Sequence, residues 1–246
     1  MDLGLKGKTV LITGGSKGIG LACAMSFAAE GCNLHLAARN RELLESARRR
    51  ITDSHGVDVS LHAADLRDGT ALRDIANACG DSDILVNNAG DIPGGTIESL
   101  DEIKWRHAWE LKVFGYINLT RELFGRMKAR KRGVIVNVIG MAGESPTFEY
   151  ICGGAANAGL AAFTKGMGKG SREHGVRVLG VHPPSTRTDR ILTLMKAQAK
   201  ARFGDESRYE ELMGNVIEPQ QVGDTVAFLA SPRAGQLSGI VLNLGH

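Results

Sequence analysis

The chain has 246 residues, 43% of them hydrophobic and 23% charged, with a formal net charge of +3. That length supports one large core and that composition excludes a disordered or fibrous chain, while so small a net charge leaves no electrostatic footprint for nucleic acid. No apolar run approaches the roughly 20 residues that cross a bilayer, and Met1-Asp2-Leu3-Gly4-Leu5-Lys6 lacks the apolar core of a secretory signal. A single domain over 1–246 in the cytoplasm is expected, with neither nucleic acid nor membrane as partner.

In chain order, short apolar runs alternate with longer segments of helical period. Thr9 to Thr13 precedes a helix over 19–30, Asn33 to Ala38 one over 41–53, and Val57 to Ala63 one over 68–79. Ile84 to Asn87 then leads to a helix over about 101–130, and Val134 to Ile139 to one over about 155–173. Val176 to Val181 follows, and Ile240-Val241-Leu242 reads as the last strand. This order predicts a doubly wound, Rossmann-type α/β domain: a mostly parallel seven-stranded sheet with helices on both faces. The stretch 184–216 interrupts the alternation, with Ile191, Leu194, Met195 and Phe203 scattered among charges. Placed beyond the carboxyl end of a strand, where open α/β sheets bind ligands, it reads as a substrate lid.

Cys23, Cys32, Cys79 and Cys152 form no CxxC pair and no zinc-like spacing, so free buried thiols and no metal are expected. Arg126, Lys128, Arg130, Lys131 and Arg132 close the fourth long helical segment, where cations complement the negative end of its own dipole.

The first strand runs into Thr13-Gly14-Gly15-Ser16-Lys17-Gly18-Ile19-Gly20 and then a helix. Glycines here permit a tight turn and close backbone approach, and the helix start turns unpaired N–H groups toward an anion. A dinucleotide pyrophosphate is therefore expected against Gly14, Ser16, Lys17, Gly18, Ile19 and Gly20. The second strand ends in Ala38-Arg39-Asn40 with no carboxylate to accept from a ribose hydroxyl. Arg39 and Lys17 instead suit a 2′-phosphate, which points to NADP(H).

With Asp65-Leu66 after the third strand and Asn87-Asn88-Ala89-Gly90 after the fourth, the whole chain resembles the short-chain dehydrogenase/reductase family. The resemblance implies adenine contacts from Asp65 and Leu66, and places Asn87, Ala89 and Gly90 along the adenosine ribose and the nicotinamide end. It also places Thr188, in His182-Pro183-Pro184-Ser185-Thr186-Arg187-Thr188, at the nicotinamide amide, although Pro184 replaces the usual glycine and removes an N–H. The family's catalytic asparagine, serine, tyrosine and lysine are absent from their positions: Lys112, Gly140, Gly153 and Asn157 stand there.

Lysine and asparagine have thus exchanged places, and Tyr150 lies one helical turn before Gly153. The expected relay pairs Tyr150 with Lys112, the cation lowering the phenol's pKa, and Asn157 orients a water or the lysine. The corresponding function is NADP(H)-dependent interconversion of a secondary alcohol and a ketone on a partly apolar small molecule. An eroded site would leave an NADP-binding sensor or assembly protein, and Lys112 with Tyr150 could also serve a lyase or isomerase without hydride transfer. Small residues over 153–162 allow another helix to approach closely. The resemblance adds a homodimer or homotetramer formed through that helix and the one bearing Lys112.

Overall fold

The computed structural model describes residues 2–214 and 216–245, without the side chains of Leu194, Ala197, Gln198 and Ala201. The expected lid position of Leu194 therefore lies outside the described side chains. Seven parallel strands form one sheet: β1 (Thr9–Thr13), β2 (Asn33–Ala38), β3 (Val59–Ala63), β4 (Ile84–Asn87), β5 (Gly133–Val138), β6 (Val176–His182) and β7 (Val241–Asn243). Their order, β3-β2-β1-β4-β5-β6-β7, reverses direction between β1 and β4. The crevice at that reversal is where such sheets bind ligands.

Helices α1 (Gly18–Ala29), α2 (Arg41–Ser54), α3 (Gly69–Ala78), α4 (Glu102–Trp109), α5 (Gly115–Ala129), α6 (Ile151–Ser171), α7 (Asp189–Phe203), α8 (Glu210–Met213) and α9 (Pro219–Ala230) complete the fold. Period-two alternation divides each central strand between two cores. Val10 and Ile12 pack with Phe27, Leu36 and Val226 on one face. Leu11 packs with Leu72, Leu119, Leu123 and Ile135 on the other. The asparagine and aspartate preceding α2 and α3 cap them: Asn40 accepts from the Leu43 N–H and Asp68 from the Thr70 N–H.

The expected helix over about 101–130 is divided. A π turn at Glu110–Phe114 separates α4 from α5 and carries Lys112 at its centre. The widened ring admits one extra residue and re-aims the side chains there, a change that leaves no mark in apolar periodicity. The helix expected from about 155 begins at Ile151 instead, and β3 starts at Val59 rather than Val57. The 184–216 stretch is mostly helical, with α7, a short 3-10 turn at Glu206–Tyr209, and α8.

The basic cluster that ends α5 corrects an expectation. Arg126 donates to the Ala76 carbonyl and, at 2.5 Å, to Asn77 Oδ1, while Arg130 donates to the Gly80 carbonyl at 2.8 Å. Arg126 and Arg130 thus serve the open carbonyl end of neighbouring α3 and the turn after it, because α5 packs parallel to α3 and brings the two carboxyl ends side by side. The four cysteines are free and buried, as expected.

The close crossing of α6 over the loop before β7 offers a stability test. A Cβ on Gly168 would stand 2.7 Å from the Val178 carbonyl oxygen and against the Gly239 backbone. We expect Gly168→Ala to lose about 1–3 kcal/mol in urea unfolding, because backbone cannot move aside as a side chain does. A gain of about 1 kcal/mol, the bare helix-propensity effect, would contradict that packing.

Candidate active site

The turns after β1 and β4 are locked to each other. The Thr13 hydroxyl accepts from the N–H groups of Asn88 and Ala89 at 2.9 and 3.0 Å, and Asn88 Nδ2 donates to the Thr13 carbonyl at 3.0 Å. Gly14 and Gly18 take left-handed φ values of +67° and +55°. A Cβ on Gly14 would lie 2.8 Å from Asn88 Nδ2, and one on Gly20 would lie 2.6 Å from the same atom. Lys17, the N-cap of α1, supplies no side-chain cap, so the first N–H groups of that helix stay available to an anion. Ser16 and Ile19 are half-buried on this turn, and Lys17 is exposed. The start of α7 closes over it: Thr188 Cγ2 would be 3.3 Å from a Cβ on Gly18. This cradle fits a dinucleotide pyrophosphate in shape and in charge.

At the carboxyl ends of β2 and β3, Arg39 pairs with Asp91 at 3.3 Å, both side chains being more than half exposed. Asp65 is bound by Arg67 through both carboxylate oxygens at 3.2 and 3.0 Å. Burial raises the Asp65 pKa, but the backbone N–H and guanidinium of Arg67 outweigh it and hold the carboxyl below its ordinary value. Leu66 is buried in the core rather than presented on the surface. Asn87 departs most from expectation: its amide donates to Thr120 Oγ1 at 3.1 Å and Asn137 Oδ1 at 2.9 Å, under the sheet. A buried amide takes the partners at hand, so Ala89 and Gly90 rather than the Asn87 side chain border the crevice.

Beyond that crevice, three glycines are each overlain by one of the residues singled out for catalysis. A Cβ on Gly153 would fall within the Tyr150 ring, 2.6 Å from its Cδ1. One on Gly140, whose φ is +128°, would stand 2.9 Å from Asn157 Nδ2. One on Gly90 would stand 2.8 Å from Lys112 Cδ. Tyr150 is the N-cap residue of α6 and forms an isolated bridge with Gly95. From there its ring folds back over the space that a side chain at 153 would occupy.

Lys112 is almost fully buried and donates to the Val138 and Ile139 carbonyls, each at 3.0 Å, with its amine 5.1 Å from the centre of the Tyr116 ring. Burial, with the Arg190 guanidinium as a lesser cause, pushes its pKa down to about 7. No hydrogen bond joins Lys112 to Tyr150 among the described residues. The cation acting on Tyr150 is Arg190: burial raises the phenol's pKa, and the Arg190 charge works against it. Arg190 also donates to the Ile92 carbonyl, which fixes α7 over the site. Nothing in the sequence pattern marks Arg190, because it sits in the stretch whose periodicity is broken.

Asn157 turns its amide to the Gly140 carbonyl at 3.3 Å, not to Lys112, and its buried Oδ1 has no partner among the described residues. The same carbonyl meets His182 Nδ1 at 2.7 Å. Asn157 and His182 therefore hold the glycine turn after β5 open beside an unclaimed acceptor.

Fold and cradle together define a nicotinamide-dinucleotide type of α/β protein. The short chain dehydrogenase family matches residues 8–199. The chain is 30% identical over 246 residues to the 3-oxoacyl-acyl-carrier-protein reductase FabG of Vibrio cholerae, covering 98% of this chain and 97% of that one. It superposes on L-sorbose reductase from Gluconobacter frateurii, solved with NADPH and L-sorbose, with a TM-score of 0.93 at 29% identity, over 99% and 97% of the two chains. A 7α-hydroxysteroid dehydrogenase solved with NADH matches with a TM-score of 0.84 at 25% identity, over 99% and 94%. This chain belongs to the short-chain dehydrogenase/reductase family, whose solved members bind NADPH in one case and NADH in the other.

The buried amine gives a pH signature. Lys112 ionises near 10.5 when unfolded and at about 7 in the fold, so between those values the unfolded chain binds more protons and stability rises with pH. Relative to Lys112→Met, the wild type should therefore gain on the order of ten- to a hundred-fold in folding equilibrium constant between about pH 7 and about pH 9 in urea titrations. A difference independent of pH would mean that the amine stays charged in the fold.

Proposed function

We propose that this protein is an NADP(H)-dependent oxidoreductase interconverting a secondary alcohol and a ketone, with Tyr150 exchanging the proton at the reacting oxygen. The observation that carries this reading is the Tyr150 ring lying in the volume vacated by Gly153. A phenol supplied one turn earlier thereby occupies the space of the family's missing catalytic side chain. The cofactor, when bound, supplies or takes the hydride. Tyr150 supplies or takes the proton, and the Arg190 guanidinium favours the ionised phenol against the burial that disfavours it. Lys112, with a pKa of about 7, is held by the Val138 and Ile139 carbonyls and exchanges its own proton near neutrality. The unpartnered Asn157 Oδ1 is available to a water or a substrate hydroxyl. The apolar part of the substrate sits under the lid segment that begins at α7.

The preference for NADP(H) rests on Arg39 and Lys17 at the end of β2 and the start of α1, with no carboxylate in the ribose-reading position. The Arg39–Asp91 pair is exposed and correspondingly weak, so a doubly charged 2′-phosphate can draw the guanidinium away. Gly14, Ser16, Lys17, Gly18, Ile19 and Gly20 would hold the pyrophosphate, Asp65 and Leu66 would border the adenine, and Ala89, Gly90 and Thr188 the path toward the nicotinamide.

Tyr150→Phe should lower kcat for NADPH-driven ketone reduction by about 10²–10⁴-fold without changing the NADPH Kd. Arg39→Ala should weaken NADPH by about 10- to 100-fold while leaving NADH nearly unaffected. Wild-type rates in Tyr150→Phe would overturn the assignment. Tight NADPH binding with no turnover across a broad panel of ketones and alcohols would instead support a non-catalytic NADP-binding protein. That second reading draws on the engagement of the Lys112 amine with backbone carbonyls.

Assembly is proposed through α6 and the α4–α5 pair. Ala155, Ala158, Gly159 and Ala162 expose a flat stripe on α6, and Ile103 and Phe114 are exposed on the neighbouring helices. Sedimentation should show a dimer or tetramer, and Gly159→Arg should shift it toward monomer; a wild type sedimenting only as monomer would refute the interface.

A further inference from the structure

Away from the crevice, on the sheet face covered by α3, two imidazoles and a thiol converge. We propose that His35, His62 and Cys79 form a Zn(II) site that ties β2, β3 and the end of α3 together.

The three ligands come from separate elements. His35 shares its sheet face with Ala37, and the register that sets Ala37 beside His62 brings the two histidines diagonally together across β2 and β3. Cys79, the C-cap residue of α3, is fully buried above them. His62 Nε2 lies 3.0 Å from His35 Nδ1 and 3.3 Å from Cys79 Sγ, and the three donor atoms lie within 4.8 Å of one another.

The two separations from His62 Nε2 approach the edges of a tetrahedral zinc site. With Zn–N of about 2.0–2.1 Å and Zn–S of about 2.3 Å, a tetrahedron has edges of roughly 3.3 Å between nitrogens and 3.6 Å between nitrogen and sulfur. The two His62 edges would lengthen by roughly 0.3 Å to reach those values, and a rotamer adjustment of His35 or Cys79 would set the third edge, which lies within 4.8 Å. A hydrogen-bonded chain fits less well. One ring nitrogen carries either one proton or one lone pair, yet His62 Nε2 has two close neighbours. A cation between the three atoms would satisfy all of them, and a His₂Cys donor set suits Zn(II) among the divalent ions. A cleft lined by His62, Ala64, Ala71, Asp74, Ile75 and Ala78 opens beside the site. Its alanines leave an entry path, through which a water would complete the coordination. Ligand spacings of 27 and 17 residues across two strands and a helix end explain why no short motif announces the site. The zinc would brace the strands that lead into the turns bearing Arg39 and Asp65, but its binding does not depend on the proposed reaction.

The test uses the full chain stripped of metal. Zn(II) should bind with 1:1 stoichiometry in competition with a chromophoric chelator and should raise Tm. Co(II) should give tetrahedral visible bands and a thiolate charge-transfer band. Cys79→Ser should abolish the charge-transfer band and weaken Zn(II) binding by about 100-fold or more, as should His62→Gln for affinity, whereas Cys32→Ser should retain both. Circular dichroism identifies any variant that fails to fold, and His35→Asn then provides the same comparison from the neighbouring strand. Absence of saturable binding at micromolar Zn(II), a Co(II) thiolate band that survives Cys79→Ser, or wild-type Zn(II) affinity in folded His35→Asn and His62→Gln would each overturn the site and leave a hydrogen-bonded cluster only.

Discussion

The hydroxyl of Thr13 is the pin on which the site turns. Parallel sheets that reverse strand order must part their connections at the reversal, and here the turns after β1 and β4 leave the sheet in opposite senses. Thr13 accepts two N–H groups from the far turn, and Asn88 reciprocates onto the near one. The crevice is therefore held at a set width. The glycines beside it are demanded by this closeness: Gly14 and Gly20 leave no room for a Cβ next to Asn88. Anion-binding geometry thus follows from a short network of backbone and side-chain bonds that needs no ligand to form.

On the far side of the crevice the design is one of exchanged volume. Lys112 fills the space beside Gly90, Asn157 that beside Gly140, and Tyr150 that over Gly153. Each of these glycines leaves room for a side chain arriving from elsewhere, which keeps the pocket packed. The amine is desolvated and spans two carbonyls, while the charge nearest the phenol comes from a guanidinium on α7. Placing that guanidinium on α7 joins the cation and the glycine turn after β1 through one element, since Thr188 at its start also packs against Gly18.

The arginines at the end of α5 show a similar economy of position. Helix ends leave carbonyls unpaired, and Arg126 and Arg130 reach those of the α3 end rather than their own. The same end of α3 carries Cys79 over the histidine pair, so the outer strands of the sheet depend on a helix terminus anchored from a neighbour.

Much of this protein is legible in its residues alone. Alternating apolar runs and helical periods determined the doubly wound sheet, because strand and helix impose different repeats on burial. The glycine spacing after β1 determined the cradle, because only that residue fits the backbone there. The absence of a carboxylate after β2 was equally visible. Tertiary structure decided the rest. Only packing could swing Tyr150 back over Gly153, turn Lys112 inward at a π turn, bury Asn87 under the sheet, and bring Arg190 or the His35–His62–Cys79 cluster together. The physical reason is one of range: periodicity and turn chemistry act over a few neighbours along the chain, whereas, the Tyr150–Gly153 turn apart, these contacts join residues 17 to about 100 positions apart through the crossovers of the sheet.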